Sequence, residues 1–321
     1  MRDTDYAFCV AKIRALENKL LSKQDIAALI GQRDFAAAMG FLSEKGYAAQ
    51  DESSAELIKR QTLQLNAVLN ESVPDKRVLD ALYLLNDYFN LKVMVKCAAE
   101  REGAEGLFLF PTTAEVEHFD ADTEDGSFVF LKEQYRKAAT QAYAMAVKSG
   151  DGRYSDVIID TAAICELSRY AKMKKSGLLG KICGFIADTA NIKIALRCIA
   201  TARDEDYVRA AVGDCFLLDK PRLIASVLSG GEALEAYLAD TEYKQGLAVY
   251  KSNPSAFEKW CDDRVMKIAS DAVYTSFGFD PVVYYYYRKN LEIKTVRMIL
   301  AAKRSDIDTE TLKERVRELY A

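Results

Sequence analysis

Few groups in this sequence have the type and spacing for chemistry. The single histidine, His118, lies in the acidic stretch "AEVEHFDADTEDG" with no second histidine or neighbouring cysteine to share a metal, so it reads as a surface residue. "KSGLLGK", Lys175 to Lys181, has the outline of a phosphate loop. Such a loop needs four residues between its glycines and a Ser or Thr after the lysine to reach Mg²⁺. Here Gly177 and Gly180 stand too close together and Ile182 follows Lys181. "LSGGEAL", around Gly230-Gly231, has the composition of an anion-binding turn and reads more simply as a loop between helices. The carboxylate pairs Asp262-Asp263 and Glu124-Asp125 fall on predicted wet faces, and no nucleophile stands beside a base. Cys9, Cys97, Cys165, Cys183, Cys198, Cys215 and Cys261 are odd in number, scattered and free of any C-x-x-C, which suits small buried hydrophobes better than disulfides or zinc. The sequence therefore assigns no catalytic, cofactor-binding or metal-ligating residue, and it singles out no partner contact.

The elements that would position such groups are helical. The 321 residues are enough for two or three modules of about 100 each. Half are hydrophobic and 29% charged, a globular composition rich in Ala, Leu, Lys and Glu, with only five prolines. A net charge of −4 exerts no general pull toward nucleic acid or anionic lipid. The aromatics follow interior periodicity and are not interleaved with basic residues as in a single-strand binder. No apolar run approaches the roughly 18–20 residues that cross a bilayer. "MRDTDYAFCVAKIRALENKLL" is charged throughout and lacks a signal-peptide apolar region.

Tyr6, Val10, Ile13, Leu16 and Leu20 line one face of a first helix. Ser22 or Asp25 is placed to cap the next, and Ser53-Ser54 opens one running toward Glu71. "GLFLFPTT" and "DGSFVFL" are β-like runs flanking the acidic stretch, which reads as a long exposed connection. The run Tyr284-Tyr285-Tyr286-Tyr287 would point two rings to each face of a strand, or fan all four around a helix. The flanks choose helix. Asp280-Pro281 reads as an N-cap followed by proline at the first helical position. Leu291, Ile293, Val296, Ile299 and Leu300 then recur at helical spacing, with Lys294, Arg297, Lys303 and Arg304 on the wet side. One helix from about Pro281 to Lys303 is expected.

A period runs through the chain. "NLK" at Asn90, "NIK" at Asn191 and "EIK" at Glu292 are separated by 101 residues each time. Leu84, Phe185 and Tyr286 keep this register, as do Leu85, Ile186 and Tyr287, and Ala98, Ile199 and Leu300. One helix upstream, Ile58, Ile159 and Trp260 align, then Leu63, Ile164 and Val265. A second echo pairs "LLSKQDIAAL" from Leu20 with "LLDKPRLIASV" from Leu217, and "FLSEKGY" from Phe41 with "YLADTEY" from Tyr237; its middle copy is not visible. Three related helical modules are expected, at 1–104, 105–205 and 206–321.

The two ends carry a family resemblance. "NLEIKTVRMILAAKR", preceded by Asp280-Pro281 and the tyrosines and followed by "RVRELYA", is similar to the last part of the C subunit of archaeal and bacterial V/A-type rotary ATPases, the counterpart of the d subunit of the eukaryotic vacuolar ATPase. "YAFCVAKIRALENKLLSKQDIAALI" is similar to that family's opening helix. Asn290 departs from the acidic residue found there in many members. The resemblance implies an all-α fold of three pseudo-threefold modules forming a funnel. It implies a non-catalytic, cofactor-free rotor adaptor, peripheral on the cytoplasmic face of the membrane. Its partners would be the central stalk subunits D and F and the proteolipid rotor ring. Torque would pass through it during H⁺ or Na⁺ transport, in the direction of ATP hydrolysis or of synthesis. The alternatives are a helical-repeat protein-binding scaffold unrelated to a rotary ATPase, whose modules would stack in a line, and a helical enzyme with a site between modules.

Overall fold

The computed structural model describes residues 3–120, 126–149, 152–174 and 177–317. Glu124-Asp125, the Lys175-Ser176 start of the phosphate-loop-like stretch and the last four residues of "RVRELYA" lie outside them. The described chain is all-α. Its helices are α1 (Ala7–Glu17), α2 (Lys23–Ile30), α3 (Phe35–Glu44), α4 (Ser54–Ser72), α5 (Arg77–Glu100), α6 (Glu133–Ser149), α7 (Gly152–Met173), α8 (Leu178–Ala200), α9 (Glu205–Ala211), α10 (Lys220–Ser229), α11 (Gly231–Ala239), α12 (Lys244–Ser252), α13 (Pro254–Ala269), α14 (Asp280–Arg304) and α15 (Thr309–Arg315). No strand occurs among the described residues, so neither β-like run is one. Around "GLFLFPTT" the backbone groups are satisfied by side chains of α5 instead of by a neighbouring strand.

The contacts divide the chain into two compact units, one of Met1–Asp75 with Ala248–Ala321, the other of Lys76–Leu247. In the first, α14 is the central element, with α1, α3, α4 and α13 packed on it. Helix starts follow local chemistry. Ser22 caps α2 and Ser53 caps α4, each in a reciprocal box with Asp25 or Glu56 three residues on. In α1, Cys9, Val10 and Ile13 are buried below Tyr6, while Leu16 is half-buried and Leu20 lies past the helix end.

The four tyrosines lie in α14, as expected, and the helix is enclosed around most of its circumference. Tyr285 and Tyr286 are buried, Tyr284 and Tyr287 half-buried, and the last two rings of the run meet edge to face at 5.1 Å. Two expectations about this helix need correction. Phe279, with no side-chain cap, is the N-cap, and Asp280 is instead the first helical residue, where its charge still suits the positive helix end. Lys303 is not on the wet side. It is buried, and its Nζ donates to the Gln32 carbonyl at 2.5 Å. Lys294, Arg297 and Arg304 are exposed as predicted.

Asp262 and Asp263 are likewise not on a wet face. Arg317 grips Asp262 through Nη2 at 2.7 Å and Nε at 3.1 Å, and Asp263 is paired to Lys259 at 3.0 Å with its side chain 8% exposed. Among the aligned columns, Leu84, Phe185 and Tyr286 are all buried. Ile164 and Val265 are buried but Leu63 is exposed; Leu85 is exposed while Ile186 and Tyr287 are half-buried.

The second unit is built on α5 to α11. One close approach uses Gly184 of α8. A Cβ there would stand 2.2 Å from the Phe216 ring, so only glycine lets that loop lie directly on the helix. Gly180, one turn earlier, faces the Lys174 carbonyl, which a Cβ would meet at 2.0 Å. Of the glycines of "KSGLLGK", Gly177 is thus the N-cap of α8 and Gly180 a packing residue in its first turn.

Three outcomes follow. Ile293→Ala or Leu300→Ala, each emptying a buried site on α14, should lower stability by about 2–5 kcal/mol in urea melts; no loss would place that face in solvent. Gly184→Ala should cost about 1–3 kcal/mol by overpacking. Asp25 accepts from the Lys45 ammonium at 2.6 Å and from Ser22, and these bonds hold its carboxyl near pKa 2, below the ordinary 3.8. Because the folded value is depressed, this stabilisation is present above about pH 4 and is lost as pH falls through about 2. Asp25→Asn should therefore be less stable than the parent at neutral pH and converge with it in acid melts. A gap as large at pH 2 as at neutral pH would refute the assignment.

Candidate functional site

The three long helices α5, α8 and α14 carry a buried polar pair three residues apart at the same place in the 101-residue register: Asp87 with Asn90, Asp188 with Asn191, and Lys289 with Glu292. Spacing of i and i+3 puts both members on one helix face. All six are buried among apolar neighbours. Buried polar groups persist only when their bonds are made, and a separate chain segment makes them at each pair.

On α5 the segment is 109–135. Asp87 accepts from the Thr112 hydroxyl (2.5 Å), the Thr113 amide and hydroxyl (2.8 and 2.6 Å), the Ala114 amide (3.2 Å) and the Tyr135 hydroxyl (3.0 Å). Asn90 donates to the Leu109 carbonyl at 2.9 Å and accepts from the Leu109 amide at 2.7 Å. Burial raises the Asp87 carboxyl above the ordinary range, against the pull of the Thr112, Thr113 and Tyr135 donors.

On α8 the segment is 213–243. Asp188 accepts from the amides of Phe216 (2.7 Å), Leu217 (2.8 Å) and Leu218 (3.4 Å) and from the Tyr243 hydroxyl (2.8 Å). Asn191 donates to the carbonyls of Gly213 and Asp214 and accepts from the Gly213 amide at 2.8 Å. Burial, followed by the neighbouring carboxylate, pushes the phenols of Tyr135 and Tyr243 up, so both remain donors.

On α14 the segment is N-terminal. Glu292 accepts from the Leu21 amide at 2.6 Å and from Lys289 at 2.5 Å, and the Lys289 ammonium lies 4.7 Å from the centre of the Tyr47 ring. Each pair is thus a seat for a loop and a tyrosine. The echo between Leu20–Tyr47 and Leu217–Tyr243 acquires a physical meaning, since both stretches enter a seat at their leucines and close it with their last tyrosine. The 109–135 segment lacks the echo because Thr112 to Ala114 reach the seat there and Tyr135 arrives on α6.

The residues singled out from sequence fall elsewhere. His118 is exposed in a short 3₁₀ turn. Gly230-Gly231 separates α10 from α11, with Gly230 at φ 100°. No disulfide joins the cysteines; Cys165 is half-buried and the rest buried, and burial lifts the Cys183 and Cys215 thiols to about 12, leaving them unreactive at neutral pH. Asn290 is half-buried, and the polar contact of its helix is made by its neighbours Lys289 and Glu292. Sequence reasoning found Asn90, Asn191 and Glu292 through the tripeptide repeat and missed Asp87, Asp188 and Lys289. Their signal is a charge three residues before each tripeptide, inside an apolar helix.

These observations describe a scaffold organised by buried seats, and the comparisons agree with the resemblance carried by its ends. Residues 9–315 match the model of the ATP synthase (C/AC39) subunit family. The chain belongs to that family. It is also similar to the C subunit of the V-type sodium ATPase of Enterococcus hirae, with 23% identity over 319 residues that cover 96% of this chain and 97% of the relative. An unrelated repeat scaffold is set aside by this match. In this C/AC39 family member no helix of the described residues is long and apolar enough to cross a membrane.

Removing a seat's acceptor should be costly. Asp188→Ala strands three loop amides and the Tyr243 hydroxyl, an expected loss of about 3–5 kcal/mol. Tyr243→Phe, which removes one bond to a charged acceptor, should lose about 1.5–3 kcal/mol. Urea denaturation measures both, and an unchanged midpoint for Asp188→Ala would contradict the seat.

Proposed function

We propose that this chain is the non-catalytic rotor adaptor of a V/A-type ATPase. It joins the central stalk subunits D and F to the proteolipid rotor ring on the cytoplasmic face of the membrane, and it transmits torque for ion transport. The observation that carries this reading is the family match over residues 9–315, reinforced by a relative, itself a V-type ATPase C subunit, aligned along nearly its whole length. An adaptor under torque must hold its elements in one arrangement. The seats supply that physically, because each ties a loop to the middle of a long helix through buried, charge-assisted bonds.

The three modules at about 1–104, 105–205 and 206–321 belong to this proposal, as does the pseudo-threefold funnel that the role requires. The recurrence of a seat on α5, α8 and α14 at constant spacing supports them. In this reading the long helix of each of the first two modules seats a segment of the next module, and the N-terminal segment of the first is seated on α14 of the third.

The purified chain should bind a D–F stalk complex in a pull-down and hydrolyse no nucleotide. Membranes lacking it should retain ATP hydrolysis by the catalytic head, uncoupled from ion transport. Turnover by the isolated chain, or ion pumping that survives its removal, would overturn the reading.

A further inference from the structure

The three seats are chemically unequal in a consistent direction. At the first position α5 and α8 carry Asp87 and Asp188, which as carboxylates only accept hydrogen bonds, whereas α14 carries Lys289, which only donates. At the second position α5 and α8 carry Asn90 and Asn191, which donate and accept, whereas α14 carries Glu292, which only accepts.

The seated segments match these differences. The 109–135 and 213–243 segments present N–H and O–H donors to the first position and both a carbonyl and an amide to the second. On α14 their donors would face an ammonium, and the Leu109 or Gly213 carbonyl would face a carboxylate. The N-terminal segment presents the Tyr47 ring to Lys289 and the Leu21 amide to Glu292. On α5 or α8 the negative face of that ring would meet a carboxylate. Refusal therefore runs both ways.

Such discrimination answers a problem of chain order. The partners of Asp87, Asn90, Asp188 and Asn191 lie 19 to 55 residues away, whereas Leu21 and Glu292 are 271 residues apart. Closing the longer loop costs more entropy and comes later in folding. Two segments shaped for a helix seat are thus nearer to α14 in the chain than its own partner, and every other copy of the protein supplies two more.

We propose that the Lys289–Glu292 pair is a recognition code that reserves α14 for the N-terminal segment and excludes the 109–135 and 213–243 segments of the same chain or of another copy. The proposal is independent of the rotor reading.

The test is refolding of the full chain. Lys289→Met with Glu292→Gln removes the cation and gives the second position an amide, yet keeps an acceptor for the Leu21 amide. Exchanging a buried ion pair for neutral groups of similar volume is often neutral for stability or better. Ile293→Ala is the comparison, because it weakens the same helix and leaves the pair intact. After dilution from urea at increasing protein concentration, recovery of the native form is read by size-exclusion chromatography with light scattering. The double variant should keep its urea midpoint but recover several-fold less native protein, with the remainder in larger species that grow with concentration. Ile293→Ala should lose stability and recover as the parent does. Parental recovery of the double variant overturns the code. If the double variant does not fold, Lys289→Gln alone decides, because it removes the cation yet leaves an amide to donate to Glu292. Recovery below that of Ile293→Ala supports the code; parental recovery overturns it, and failure to fold as well overturns it by assigning the pair to stability instead of to choice among segments.

Discussion

A carboxylate buried in the middle of a long helix must find a donor for nearly every lone pair, because water is absent and the helix backbone has already spent its own groups. Asp87 and Asp188 meet this requirement by drawing in loop amides, hydroxyls and one tyrosine each. Much of the rest of the structure depends on that demand. It explains why the chain from Phe108 to Thr113 forms no helix and pairs with no strand, and why Phe216 lies against a glycine. It also explains why tyrosines far apart in sequence serve the same purpose. On α14 the demand is met differently, by a lysine that neutralises its own glutamate three residues along and leaves one oxygen for the N-terminal segment.

The fold class was legible because helix formation is largely local. Alanine-rich amphipathic runs, Ser22 and Ser53 at their capping positions and the Asp280-Pro281 start act over a few residues. The repeat was legible because Leu84, Phe185 and Tyr286 occupy one buried environment, which keeps such positions apolar at fixed spacing. Two of the errors share one cause. Charge alone predicts wet positions for Lys303 and Asp262, yet each has a partner distant in sequence, Gln32 and Arg317, while Asp263 is enclosed beside Lys259 one turn away on its own helix. Periodicity cannot report a partner that arrives from elsewhere. The β-like runs failed similarly, since alternation of apolar residues does not reveal whether a strand or an asparagine side chain will satisfy the backbone.

The candidate site shows the same limit in sharper form. The tripeptide repeat marked Asn90, Asn191 and Glu292, while the charges three residues before them passed as interruptions of an apolar face. A buried charge is unfavourable unless paired, so a charge that recurs at 101-residue spacing within apolar helices is itself a signal of a bound segment. In the proposed role this chemistry has a use. Apolar contacts alone permit sliding, whereas charge-assisted bonds to specific amides fix register, and an element that carries torque needs register.

The most direct measurement is native-state hydrogen exchange of the full chain, resolved at single amides. Thr113, Ala114, Phe216, Leu217 and Leu21 lie outside helices, and their amides are bonded to the seats. If the seats hold the loops as described, these amides exchange only when their unit unfolds, at the same free energy as the helix core around them. Exchange at the rate of ordinary surface loops would contradict the account, because the buried side chains would then not be holding the backbone.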